Sequence, residues 1–317
     1  MGTAIPGFPV SAIITEVGPR DGLQAEAEFV PTARKIELIQ SLLDAGLRRF
    51  EITSFVSPRA VPQMRDAAEV MAAFRDRDDA HLTALVPNAR GAEAAIEAGV
   101  DAMVLFASAS ESHNLKNVNR SREASFEGFA GIARLAEGTG VALQGAIATA
   151  FGCPFEGEVA VEAVTDQARR YRDLGMRHIT LGDTTGMATP ALVIQRIEAL
   201  AQAVPDVDIA LHFHNTRGVG LVCAYAGLSL GVRNFEASIG GLGGCPFVPR
   251  ATGNISTEDM VYLFHESGVE TGVDLERLTG SARLAEEIIG RELPGQVMKA
   301  GPRLQTASTD SVRTAHG

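Results

Sequence analysis

Eight short runs of strand-forming residues alternate with longer segments of helical periodicity along the chain, and this alternation limits the fold more than any other feature of the sequence. The runs are AIITEV (12–17), RFEITSF (49–55), HLTALVP (81–87), AMVLFAS (102–108), VALQGAIA (141–148), HITLGD (178–183), DIALHFH (208–214) and NFEASIG (234–240). Strands joined through helices cross over and come back parallel to their predecessors, so the pattern calls for a parallel sheet of βα units. Four connections reuse one phrase, in which a helix ends near a glycine that leads into the next strand: DAGLRRFEIT, EAGVDAMVLF, DLGMRHITL and SLGVRNFEA. Glycine just past a helix supplies the left-handed C′ position, so these phrases read as one αβ junction repeated.

Eight such units in 317 residues favour an α/β chain closed into a (β/α)₈ TIM barrel, with a parallel eight-stranded core and a short C-terminal helical extension. One domain over residues 1–301 is expected, followed by a flexible polar tail, 302–317. An open doubly wound sheet would want a dinucleotide fingerprint after its first strand. EVGPRDG does not fit GxGxxG, and GGLGG lies far downstream with the wrong spacing. The net charge of −11 is spread over many short segments, which excludes the basic stripe of a nucleic-acid binder and the polybasic patch of a membrane binder. An anionic substrate would need local arginines. No apolar run approaches the roughly 20 residues that span a bilayer. The start, MGTAIPGFPV, has neither the basic nor the apolar segment of a secretory leader, and Pro6 stands where a myristoylation motif wants Ser or Thr. Cys153, Cys223 and Cys245 are too few for a disulfide framework, so a reducing compartment and a cytoplasmic protein are expected.

Chemistry-bearing residues gather where strands end. His212 and His214 are two apart on one strand, so they leave the same face; such a pair either packs or converges on an ion. They close their strand, and barrel active sites collect at the C-terminal ends of strands. The first strand runs into EVGPRDGLQ, bringing Arg20, Asp21 and Gln24 to the same rim, which Glu51 and Asp183 also reach. The segment 240–254, GGLGGCPFVPRATGN, sets Cys245 behind four glycines, Gly240, Gly241, Gly243 and Gly244. It reads either as a mobile loop delivering a thiol or as a turn around a buried cysteine. Asp21, His212, His214 and the side-chain oxygen of Asn254 form a mixed N/O set without thiolate, better suited to Mg²⁺ or Mn²⁺ than to structural zinc.

These residues resemble a known family, the 3-hydroxy-3-methylglutaryl-CoA (HMG-CoA) lyases. The resemblance runs from EVGPRDGLQ through EITSFVSPRAVPQM, FGCPFEG, LGDTTGMATP, the HxH strand and GLGGCPF to ATGNISTEDMVYLF. It implies that Asp21, His212, His214 and Asn254 ligate a divalent cation. Arg20 would bind substrate and neutralise the enolate oxygen formed at the thioester carbonyl, and Cys245 would move a proton. Glu51 and Asp183 match carboxylates that support the metal and the substrate hydroxyl, and Gln24 matches a substrate-side neighbour of the Arg-Asp pair. The reaction implied is a retro-Claisen cleavage of HMG-CoA, or of a closely related 3-hydroxyacyl-CoA, to acetyl-CoA and a 3-oxo acid (acetoacetate for HMG-CoA), by an enzyme expected to be a homo-oligomer, dimer or tetramer. The sequence departs from the family at HFHNTRG, where Asn215 and Arg217 replace an acid and a tyrosine, and at Arg250, where a small residue is usual. The HxH change alone alters the local charge by about two units. Arg217 and Arg250 either face solvent or bind a substrate carboxylate or phosphate. The competing readings are a condensing synthase or aldolase on the same barrel, against which GLGGCPF argues, and a silent metal-binding barrel, which would be expected to have lost a ligand or Arg20.

Overall fold

The computed structural model describes residues 4–244 and 252–304, so Cys245 and Arg250 lie outside the described residues. Eight strands close into one parallel barrel in chain order, with β8 returning to pair β1. They are β1 (Ile13–Glu16), β2 (Arg49–Ser54), β3 (His81–Leu85), β4 (Ala102–Ser108), β5 (Ala142–Ala148), β6 (His178–Asp183), β7 (Asp208–Phe213) and β8 (Asn234–Ala237). Each falls within one of the runs read from the sequence.

The helices are α1 (Thr32–Asp44), α2 (Ala67–Ala72), α3 (Ala89–Ala98), α4 (Glu111–Val118), α5 (Arg122–Ala136), α6 (Val161–Asp173), α7 (Pro190–Ala203), α8 (Gly220–Ser229), α9 (Thr257–Glu266), α10 (Leu275–Ile289) and α11 (Val297–Ala300). Their starts are written in the sequence. Asn88, Ser110, Ser121, Thr189, Ser256 and Asp274 each accept a backbone N–H of the first turn, satisfying a donor that the helix leaves open. The repeated junction is equally regular. Gly46, Gly99, Gly175 and Gly231 all have φ between 80° and 101°, the left-handed region that stops a helix and turns the chain toward its strand.

Outward strand residues such as Phe50, Leu105, Ile179, Leu211 and Phe235 are buried against the helices, and this layer is the hydrophobic core. The lumen is different. Thr15, Arg49, Glu51, His81, Gln144 and His178 line a cavity of only about 10 Å³ inside the barrel, in place of the branched apolar layers common in such folds. α10 lies on α1 and completes the outer ring: Ser41 Oγ and Ser281 Oγ are 2.6 Å apart, and Arg34 pairs with Glu287 at 2.6 Å.

Candidate active site

β1 ends in a single turn of π-helix, Gly18–Gly22. Pro19, which has no N–H to place, stands at its start, and the Val17 carbonyl receives the N–H groups of Arg20, Asp21 and Gly22. Such turns occur often at functional sites, because the widened ring re-aims its side chains. Buried Glu16 anchors the turn: it accepts the N–H of Gly18 and of Ile239, each at 2.8 Å, and the Thr257 hydroxyl at 2.7 Å. The end of β1 is thereby tied to β8 and α9. Burial lifts the Glu16 carboxyl to about 7, against those three donors.

Arg20 lies between two carboxylates. Its Nη1 is 2.5 Å from Asp21 Oδ1; its Nη2 donates to Glu51 Oε2 at 2.9 Å, with Nε 2.5 Å from Oε1. Glu51 reaches this position just before a register shift in β2, between Glu51 and Thr53, a bulge of the kind that redirects side chains beside active sites. Burial works against the charged forms of all three. For Arg20 the facing carboxylates win and strengthen its hold on the proton; for Asp21 the Arg20 guanidinium and both histidines win and hold the carboxyl well below its usual range. For Glu51 burial wins, and its carboxyl is raised despite Arg20.

His212 and His214 face the same end of the lumen, ring centres 5.2 Å apart. His214 Nε2 lies 4.0 Å from Asp21 Oδ2. Among the described residues, Asp21, His212 and His214 offer three ligand atoms within 4.8 Å of one another. Asn254 joins them through local β-pairing: Asn215 N–H donates to Gly253 O and Ile255 N–H to Phe213 O, so the segment runs antiparallel to the end of β7. Two glycines permit this approach. A side chain at Gly253 (φ 85°) would strike the Gly243 carbonyl, and one at Gly243 (φ 126°) would strike the Asn254 amide. The Asn254 amide nitrogen donates to Asp21 Oδ2 at 2.8 Å and to Leu242 O at 2.9 Å, while its Oδ1 is buried without a hydrogen-bond partner among the described residues. An unpartnered buried oxygen is costly alone, and it suits a cation held by one carboxylate, two imidazoles and one amide oxygen. Burial, then the neighbouring His212, pushes the His214 imidazole down to about 4, so it is the neutral, ligating form at ordinary pH.

Other expected residues stand around this group. Asp183 Oδ1 accepts the N–H groups of Met187 (2.7 Å) and Ala188 (3.1 Å), shaping the loop after β6, and burial raises its carboxyl to about 6. Gln24 is half-buried, with its Oε1 unpartnered among the described residues. Arg217 is exposed, yet its Nη1 donates to the carbonyls of Thr185 and Gly186, so it staples the loop after β7 to the loop after β6. Asn215 Oδ1 accepts the N–H of Gly220 at the head of α8. Cys223 lies buried in α8, and Cys153, buried in the loop after β5, is 2.9 Å from the Ser110 hydroxyl. Glu236 and Thr180 carry no signal of their own in the sequence. Thr180 Oγ1 donates to Glu236 Oε1 at 2.6 Å, and Glu236 Oε2 is 3.0 Å from His212 Nδ1.

Comparison with known proteins identifies the family. The family model described as HMGL-like matches residues 11–285. The (R)-citramalyl-CoA lyase of Chloroflexus aurantiacus is 43% identical over 91% of this chain and 94% of its own. The hydroxymethylglutaryl-CoA lyase of Pseudomonas mevalonii is 45% identical over 83% and 87%. A solved HMG-CoA lyase from Acinetobacter baumannii, in complex with coenzyme A and 3-methylmalate, superposes with a TM-score of 0.91 at 41% identity, covering 96% of this chain and 99% of that one. A barrel mouth built in this way, on a chain matched over nearly its whole length, makes this protein a carbon–carbon lyase and a member of the HMGL-like family.

Proposed function

We propose that the protein cleaves HMG-CoA to acetyl-CoA and acetoacetate, using a divalent cation, Mg²⁺ or Mn²⁺, held by Asp21, His212, His214 and Asn254. The observation that carries this reading is the packing of Arg20, two carboxylates, two histidines and the unpartnered Asn254 oxygen at one end of the barrel. The cation supplies polarisation of the substrate hydroxyl and carbonyl. Arg20, fixed by Glu51 and Asp21, presents positive charge where the thioester oxygen gains negative charge as the carbon–carbon bond breaks. With its carboxyl at about 6, Asp183 is poised to exchange a proton near neutrality beside the substrate hydroxyl. Cys245 completes the reading as the acid that protonates the released acetyl carbanion, and Gln24 as a hydrogen-bonding contact to substrate.

Citramalyl-CoA is the second reading. It has the same tertiary alcohol β to a thioester, with an acid arm one methylene shorter, and its cleavage yields pyruvate. The 43% identity to the (R)-citramalyl-CoA lyase of Chloroflexus aurantiacus supports it. One methylene commonly separates substrates by about 10–200-fold in kcat/KM. A panel of branched 3-hydroxyacyl-CoA thioesters, followed by acetyl-CoA release and by acetoacetate or pyruvate formation, decides between the two. Absence of acetyl-CoA from every thioester in the presence of Mg²⁺ or Mn²⁺ overturns both.

A further inference from the structure

Three adjacent strands each send one polar side chain into the lumen at neighbouring levels. Across β7 and β8, His212 is the direct register partner of Glu236; across β6 and β7, Gly182 is the partner of His212, and Thr180 lies one inward position below it. Strand alternation therefore points Thr180, His212 and Glu236 into the barrel together. The contacts form a short chain: the Thr180 hydroxyl donates to one carboxylate oxygen of Glu236, and the other oxygen faces His212 Nδ1 at 3.0 Å. A carboxylate there can only accept, so Nδ1 must carry the hydrogen. In the neutral ring the lone pair is then left on Nε2, the nitrogen free to join Asp21 and His214. His214 has no comparable support among the described residues, where its buried Nδ1 finds no hydrogen-bond partner.

We infer that Glu236, itself oriented by Thr180, is a positioning residue that locks His212 in the Nδ1–H tautomer and in the ring orientation that lets Nε2 bind the cation. The inference rests on reading Asp21, His212, His214 and Asn254 as a divalent-cation site. Glu236 is not one of those four ligands, and it acts through His212. The same hydroxyl also decides how the amide of a Glu236→Gln variant would behave. If Thr180 keeps donating to the amide oxygen, the amide NH₂ faces Nδ1, which must then accept and surrender the ligating tautomer.

The test is Mn²⁺ binding to the purified full-length protein, by calorimetry and by the paramagnetic signal of free Mn²⁺, with ¹⁵N-imidazole spectra of the metal-free protein. Glu236→Gln should weaken Mn²⁺ about 10–100-fold, the range usual for the outer partner of a ligating histidine. Thr180→Val should weaken it less, and the His212 nitrogen shifts should leave the Nδ1–H pattern in Glu236→Gln. Adding Glu236→Gln to His212→Ala should cost little more, since the residue it acts through is gone. Wild-type affinity in Glu236→Gln, an unchanged His212 pattern, or an equal loss in the His212→Ala background each overturns the inference. Should Glu236→Gln fail to fold, the Thr180→Val spectra and affinity still decide it, because an unaltered His212 and an unaltered affinity there contradict the relay. A wild-type protein that binds no Mn²⁺ fails differently, by removing the cation site itself.

Discussion

Arg20 is the residue on which the chemistry of the mouth turns, and its surroundings explain why. Two carboxylates fix its guanidinium, so no reorganisation is needed when charge develops on the substrate. Arg20→Gln should lower kcat about 10²–10³-fold and change KM much less, because the interaction is strongest in the transition state. Steady-state kinetics check this; a change confined to KM would make Arg20 a substrate-binding residue only. Cys245→Ser should retain Mn²⁺ and fold while losing roughly 10²-fold in turnover, as a hydroxyl is the weaker acid. Normal turnover with metal intact would take the thiol out of the reaction. At this scale much of the site is legible in the sequence. Arg20, Asp21, His212 and His214 stand out because charged and imidazole groups at strand ends have few structural reasons to be there. Glu236 does not: a single glutamate within NFEASIG reads as an ordinary polar strand position, and only barrel closure sets it against His212.

Among the elements, the turn from β8 into α9 carries an unusual group. Glu258, in the first turn of α9, is buried; its Oε2 accepts the Gly240 N–H at 3.0 Å, and its Oε1, beside Gly295, has no hydrogen-bond partner among the described residues. Burial lifts its carboxyl from the ordinary 4.5 to about 8. In the unfolded chain the group loses its proton near 4.5, whereas the folded chain keeps it to about 8, so between those values folding takes up a proton. Its contribution is therefore fully present below pH 4.5 and lost as the pH rises toward 8. Thermal unfolding of wild type and Glu258→Gln across pH 4.5–8 should show the wild type losing stability relative to the variant as pH rises. Parallel curves would mean the carboxyl titrates alike in both states. Strands and helix starts are readable because periodicity, caps and glycine junctions are local signals. The π-turn and the β2 bulge are not, since each depends on partners far along the chain, Glu16 with Ile239 in one case and the β3 register in the other.

For the molecule as a whole, closure joins the two ends of the chain. β1 pairs with β8, and α10 covers α1 with Leu278, Ala282 and Ala285 buried. Removing everything after Val273 should strip that cover, forfeiting about 2 kcal/mol for Leu278 alone. The truncated protein should melt lower, with a broader transition and increased binding of a hydrophobic dye; an unchanged melting curve would make α10 dispensable. The polar lumen sharpens the point, because stabilisation by apolar burial is concentrated in the outer layer. During synthesis this order of pairing imposes a delay. α1 ends at Asp44 and α10 at Ile289, so at roughly 5–20 residues per second the apolar side of the first helix waits on the order of tens of seconds for its cover to leave the ribosome. For that interval the apolar face formed by Leu38, Ile39, Leu42 and Leu43 stands without its final cover, and the nascent chain is exposed to self-association there.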